Sequence, residues 1–376
     1  MPEHHTNQYA PDSVSLPGET LQEVLDDRQM TQAELAERMG RPKKSVNEII
    51  QGKAAITPET ALQLERVLGL PASFWNNLER NYREYLARKE EGERLASSAG
   101  WLRRLPVQRM VELGWIERHE DEIGQARELL NFFGIASPDR WREVFELPQA
   151  TFRHSLAFES EPGSLAAWLR KGALEGQSVR TAPFDRAGFR AALTEIRQLT
   201  REAPEAFIGA LVDRCARAGV AVAFVPELPK CRAHGATRWL SPQKALIQLS
   251  LRYKWADIFW FSLFHEAGHV LLHGKKEVFI ESGNGASEGA AQQQEKEADR
   301  FASELLIPTR ELDRLRPLAD QKRLGKARVR AFAGELGIHP GIVVGRLQHE
   351  GLLPYTHLND FRERLAWRPL VRPACR

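Results

Sequence analysis

Cysteine is scarce, and the three present, Cys215, Cys231 and Cys375, are widely spaced, which excludes a disulfide framework and a CxxC metal knuckle. Such usage fits a reducing cytoplasm, the expected compartment. No run approaches the eighteen or so apolar residues that a membrane helix needs, and the opening MPEHHTNQYAPDSVS carries no apolar stretch of the signal-peptide kind. Neither secretion nor a membrane partner is expected. A dominant charge is also missing: 53 Lys+Arg against 50 Asp+Glu leave a formal +3, so any nucleic-acid surface must be a local patch. Tandem repeats and low-complexity segments are absent. With 42% hydrophobic and 27% charged residues over 376 positions, the chain reads as globular and too long for one compact unit.

Punctuation along the chain divides it further. Residues 1–15 are polar, with Pro11 breaking regular structure, and read as a flexible lead. Over 16–92 the text falls into five helical phrases. Thr31 with Glu34 forms a capping box, Gly40 is placed to end that helix, Thr57 with Pro58 repeats the start and Gly69 repeats the stop. Residues 93–218 read as a helical spacer. At Gly219 the pattern changes: VAVAFVPEL, GATRWL, KALIQLS and VFIESGN read as strands, while WADIFWFSLFHEAGHVLLHG is too long an apolar run for a strand and reads as a helix. AAQQQEKEADRFASELLIP is a helix ending before Pro308, and 319–376 returns to helices. The short alternation of KALIQLS suits an edge strand that could pair with an extended backbone.

His265-Glu266-Ala267-Gly268-His269 is an HExxH motif inside a predicted helix. Residues four apart share one face, so both imidazoles can reach a single ion with Glu266 beside them. Support comes from Glu295 and Asp299, also four apart, on the next helix. Two neutral histidines and one carboxylate leave a tetrahedral position for water, the ligand set of a hydrolytic zinc site. One of the two acids can bind the ion while the other holds a ligand histidine. Glu297 is expected to point away from that face, and His273 reads as a helix C-terminal residue favoured by the dipole. The set also accommodates Mn²⁺ or Fe²⁺. His234, Arg238, Tyr253 and His339 lie near segments from which an oxyanion donor would come.

HEAGHVLLH followed by EKEADRFASELLIP resembles the ImmA/IrrE family of zinc-dependent metallopeptidases, whose second motif places an acid thirteen residues before a proline, as Glu295 stands before Pro308. The resemblance implies a zincin-like fold over 219–318 with His265, His269 and Glu295 as ligands, Glu266 as catalytic base and Asp299 holding a ligand histidine. It also implies cleavage of a helix-turn-helix repressor as the activity.

TQAELAERMGRPKKSVNEIIQGK has the form of a helix, a turn at Gly40 and a second helix. Lys43, Lys44 and Asn47 on its leading turns would face bases, while Gln32, Arg41 and Lys53 would suit phosphates. Ala36 and Val46 would supply the contact between the helices. The segment resembles the XRE class of DNA-binding domains, especially HigA-like antitoxins. Residues 21–90 nevertheless carry eleven basic and eleven acidic side chains, so docking of a protein is the alternative to DNA. In the tail, VRAFAGELGIHPGIVVGRLQHEG reads as a second helix pair, either another recognition element or a cover over the core.

The expected fold class is therefore multidomain: an all-α helix-turn-helix domain, a helical middle region, an α+β metallopeptidase domain with a small sheet and the HExxH helix, and a helical C-terminal segment. The expected partners are operator DNA and a protein substrate, a repressor or antitoxin, with a homodimer left open. The alternative is a DNA-binding antitoxin or autorepressor whose peptidase-like half cleaves little.

Overall fold

The computed structural model describes residues 14–146, 160–250, 255–275, 278–282, 290–317 and 324–365. Two compact units divide the chain, Met1–Ser98 and Ala99–Arg376.

Among its described residues the first unit holds five helices: α1 (Pro17–Asp27), α2 (Gln32–Met39), α3 (Lys43–Ile50), α4 (Pro58–Leu68) and α5 (Ala72–Ala96). Thr31 accepts from the Glu34 amide and starts α2, while the Glu34 carboxylate turns to Arg38 instead of closing the box. Gly40 and Gly69 end α2 and α4 at φ values of 64° and 67°, a left-handed turn that glycine adopts without strain. Leu35, Ala36, Val46 and Ile49 are buried in one core with Leu64 and Trp75. Ala36 and Val46 thus lie at the junction of α2 and α3, where small apolar residues let two helices meet.

The second unit is built around a sheet of order β1-β3-β2-β4 among its described residues: β1 (Val220–Phe224), β2 (Ala233–Ser241), β3 (Lys244–Leu249) and β4 (Phe279–Ser282). β1 and β3 are parallel and the other pairs antiparallel. KALIQLS, expected at an edge, lies inside the sheet between β1 and β2. Its residues Ala245–Leu249 are all buried because helices cover both faces. β4 takes the outer position beside β2.

Period-two alternation sorts the side chains. Val222, Ile247, Thr237 and Phe279 stand in register across the strands and face α10 (Ala256–Leu272), the HExxH helix. Before α10 come α6 (Glu122–Phe133), α7 (Pro162–Ser178), α8 (Arg186–Gln198) and α9 (Pro204–Arg217); after it come α11 (Ala290–Leu306), α12 (Lys326–Leu336) and α13 (Pro340–His349). α7 covers the opposite face, where Gly172 abuts the Gln248 side chain and Trp168 Nε1 donates to the Val225 carbonyl at 3.1 Å. α8 and α9, placed by the sequence in the spacer, contribute Phe189, Leu193, Phe207 and Leu211 to the core that holds the sheet and α10.

α10 is apolar all round because it is enclosed all round. α12 and α13 cover it with Phe332, Ile342, Val343 and Leu347, so this helix pair belongs to the core. Arg362 anchors the start of α10 through Asp257 at 2.8 Å. α10 and α11 approach closely at Gly268, where an added Cβ would lie 3.1 Å from the Ala298 Cα.

Candidate functional site

His265 and His269 sit one turn apart on the buried face of α10, each 2% exposed. Their Nε2 atoms are 3.0 Å apart. Glu295, from the first half of α11, brings Oε2 to 3.2 Å from His265 Nε2 and Oε1 to 3.6 Å from His269 Nε2. One donor atom from each residue falls within 4.8 Å of the others. A tetrahedral ion with bonds of about 2.0–2.1 Å holds its donors about 3.3 Å apart, so two imidazole nitrogens and a carboxylate in this arrangement fit zinc.

The outer bonds set which nitrogen faces inward. His265 Nδ1 lies 2.9 Å from Asp299 Oδ1, and a proton on that nitrogen leaves Nε2 with its lone pair toward the cluster. His269 Nδ1 lies 2.9 Å from His273 Nδ1, whose Nε2 is 3.3 Å from Glu297 Oε2. Glu297, expected to point away, thus ends a chain of contacts that starts at His269. His273 lies just past the end of α10, where the backbone becomes extended and swings the ring between the two. Phe279 of β4 stacks on His269 with ring centroids 4.1 Å apart.

Burial lowers the His269 pKa to about 4, although Glu295 pulls the other way. For Glu295, burial would raise the pKa, but interactions with the facing rings of His265 and His269 outweigh it and bring it down to about 2. At neutral pH His269 therefore offers an unprotonated imidazole and Glu295 an ionised carboxylate, the forms a cation requires.

Glu266 is fully buried, and the Thr237 hydroxyl of β2 reaches its Oε2 at 2.6 Å. Gly235, two positions earlier on the same face of β2, leaves room for this carboxylate. Neither residue was singled out by the sequence. The signal was the G-x-T spacing within a strand, which puts both on one face without saying that the face meets Glu266. Of the residues near an expected oxyanion donor, Arg238 lies on the opposite face from Thr237, toward Arg170 of α7. His339 caps α13 by accepting from the Gly341 amide at 3.1 Å. Tyr253 lies outside the described residues. An open cavity of about 690 Å³, lined by Arg104, Arg109, Glu161 and Lys230 among others, shares no residue with the cluster.

In the first unit, Lys43, Lys44 and Lys53 are exposed, with Lys44 3.8 Å from Glu48. Asn47 donates to Gln32 at 3.3 Å and Gln32 to Gln22 at 2.8 Å, a polar ladder over α3, α2 and α1. Arg41, expected to suit a phosphate, is half-buried. It donates to Gln63 of α4 at 2.5 Å and approaches Glu59 at 3.7 Å, so its guanidinium is engaged within the domain.

Comparison with known proteins follows this division. The helix-turn-helix family pattern matches residues 21–75, and the IrrE N-terminal-like domain pattern of the Peptidase_M78 family matches residues 252–336. The first unit belongs to the helix-turn-helix family. Its N-terminal unit is similar to YddM of Escherichia coli (strain K12), described as an uncharacterised HTH-type transcriptional regulator, with 36% identity over 63 residues covering 17% of this chain and 67% of YddM. Two solved structures are also similar to part of the chain. An antidote protein of a HigA family from Coxiella burnetii has 32% identity, covering 22% of this chain and 91% of that one at a TM-score of 0.21. An antidote protein of a plasmid maintenance system from Nostoc punctiforme has 30% identity, covering 21% and 88% at a TM-score of 0.21. The chain thus joins a helix-turn-helix DNA-binding regulator domain to an IrrE-like peptidase-type domain. No helix among the described residues is long and apolar enough to cross a membrane.

Proposed function

We propose that this chain is an intracellular zinc-dependent endopeptidase coupled to a DNA-binding regulator, with a helix-turn-helix repressor or antitoxin as its substrate. The convergence of His265, His269 and Glu295 beside the buried Glu266 carries the reading. Zinc held by those three residues supplies Lewis acidity to a water and to a peptide carbonyl. Asp299 and His273 would keep the two imidazoles oriented, each holding the proton on the ring nitrogen that faces away from the cluster. Glu266 would take a proton from the attacking water and return it to the leaving amine, its carboxylate steadied at Oε2 by Thr237. β4, the outer strand beside the cluster, is the place where an extended substrate backbone would add its hydrogen bonds.

In the first unit, α3 would enter the major groove with Lys43, Lys44 and Asn47 leading, supported by Gln32 and with Lys53 on a phosphate. The competing reading is an antitoxin or autorepressor with a silent peptidase-like half. Glu266 tells against it, because a purely structural ion has no use for a carboxylate at that place.

The deciding experiment incubates the zinc-loaded chain and its Glu266→Gln variant with repressors encoded beside its own gene. Cleavage by the parent and a loss of about 10²–10⁴-fold in the variant, at equal zinc content, is expected. Equal cleavage by both would reject Glu266 as the base, and cleavage by neither would favour the silent reading.

A further inference from the structure

The N-terminus of α7 opens onto the cavity of about 690 Å³, which lies wholly within the second unit. Glu161 and Ser164 line it from α7, Glu122 from the start of α6, and Lys230 from the turn after β1. Gly163 seats α7 against the remaining wall, where an added Cβ would collide with the Arg104 carbonyl oxygen. Pro162 brings no amide, the Glu161 side chain makes no capping bond, and the opening amides of a helix have no partner within it. Ser164 is an independent sign of a ligand. It is 4% exposed, it lines the cavity, and no described residue gives its hydroxyl a hydrogen bond. Lys230 holds a left-handed φ of 58°, rare for a lysine, and its carbonyl accepts from the Glu161 amide at 3.1 Å.

Charge and size identify the occupant. Arg103, in the same lining, is exposed and has no ion pair among the described residues. With the start of α7 and the Ser164 hydroxyl it offers the donors that a carboxylate takes. Glu120 and Glu122 are exposed in the lining with no described cation beside them, and an ammonium would match them. Two further pairs are already closed, Arg109 with Glu112 at 3.0 Å and Lys230 with Glu161 at 2.8 Å. The lining as a whole holds four lysines and arginines against five acids. An occupant with negative charge alone, such as phosphate, would meet that excess of acid, whereas a molecule carrying both signs would not. Leu102, Leu105, Val107 and Pro229 add apolar wall. The volume falls within the roughly 300–1,000 Å³ of sites that enclose whole ligands, which a few linked residues fill and a free amino acid does not.

We propose that this cavity binds a short peptide with free ends, its carboxylate on Ser164, Arg103 and the start of α7 and its ammonium toward Glu120 and Glu122. The site shares no residue with the candidate metal cluster and gives the helical spacer a ligand of its own. It stands apart from any cut made at the cluster, so it holds whether or not the metallopeptidase reading does.

The test dialyses the full chain, with zinc and again in chelator, against a mixture of tripeptides drawn from all twenty amino acids, and identifies the retained members by mass spectrometry. A subset should be retained equally in both conditions. Amidation of the carboxyl end of a retained member, or acetylation of its amino end, should weaken binding at least about tenfold. Arg103→Glu, at an exposed position, and Ser164→Ala, which removes one oxygen, should each do the same while the melting temperature of the Arg103 variant holds. Retention that requires zinc would place the peptides at the metal cluster and overturn the site. Retention of no tripeptide, equal retention of amidated members, or indifference to both substitutions would overturn it as well.

Discussion

Gly235 and Glu266 share one small space: a Cβ on Gly235 would collide with Glu266 Oε1 and lie 2.8 Å from its Cγ. Strand β2 therefore comes as near to the HExxH helix as the carboxylate permits. Gly235→Ala should displace that carboxylate by an amount on the order of 1 Å and lower repressor cleavage by about 10²-fold. Zinc content should not change, since the three atoms nearest that Cβ all belong to Glu266, which is not among the candidate ligands. Normal turnover in the alanine variant would show that the carboxylate tolerates another position.

The bonds behind the imidazoles give a second prediction. Asp299→Asn and His273→Ala should each weaken zinc binding by about 10–100-fold, measured by competition with a coloured chelator. His273→Asn, which restores a polar partner for His269, should recover part of the affinity. Two variants with parental affinity would mean that the rings are held by packing alone, such as the Phe279 stack on His269.

Acid should destabilise the metal-free protein. His269, at about 4 in the folded chain, lies below its unfolded value of about 6.5. The unfolded state then takes up the proton first, so stability present above pH 6.5 is lost as pH falls toward 4. Glu295, held at about 2, has the same sign and acts between about pH 4.5 and 2. Urea midpoints in chelator should therefore fall between pH 7 and pH 4. His269→Phe should flatten that slope, and an equally steep fall in the variant would remove His269 as its source.

Salt dependence separates the roles in the first unit. Lys53→Ala should lower the slope of log K against log salt by about 0.9, the value of one phosphate contact, with sequence preference retained. Lys44→Ala should instead relax preference at one base pair. Arg41→Ala should change the slope less than Lys53→Ala, because its guanidinium is engaged by Gln63. Anisotropy titrations with a duplex from upstream of the gene read all three, and a larger effect at Arg41 would show that its bond to Gln63 opens on DNA.

Legibility in the sequence followed how local the cause was. The starts and stops of α2 and α4 lie in Thr31, Gly40, Thr57 and Gly69, residues that act on their own turns. The HExxH helix was legible because seventeen residues of mostly apolar text exceed any ordinary strand. The position of β3 was not. Alternation in KALIQLS says nothing about neighbours, and only the parallel pairing with β1, reached after the long excursion through β2, puts it inside the sheet. Helical geometry separates Glu297 from Glu295 correctly within α11, yet His273 leaves α10 and meets Glu297 on its own side. Thr237 was hidden for a related reason: a strand announces two faces, and only packing decides which one meets the carboxylate.

The near contact of backbones at Gly268 and Ala298 makes the paired helices a jig cut before any cation arrives. Any side chain at position 268 would press on the backbone of Ala298 and push the helices apart, so glycine there keeps the three donor groups at the spacing that folding gives them. Capture of an ion would then require little beyond stripping its hydration shell.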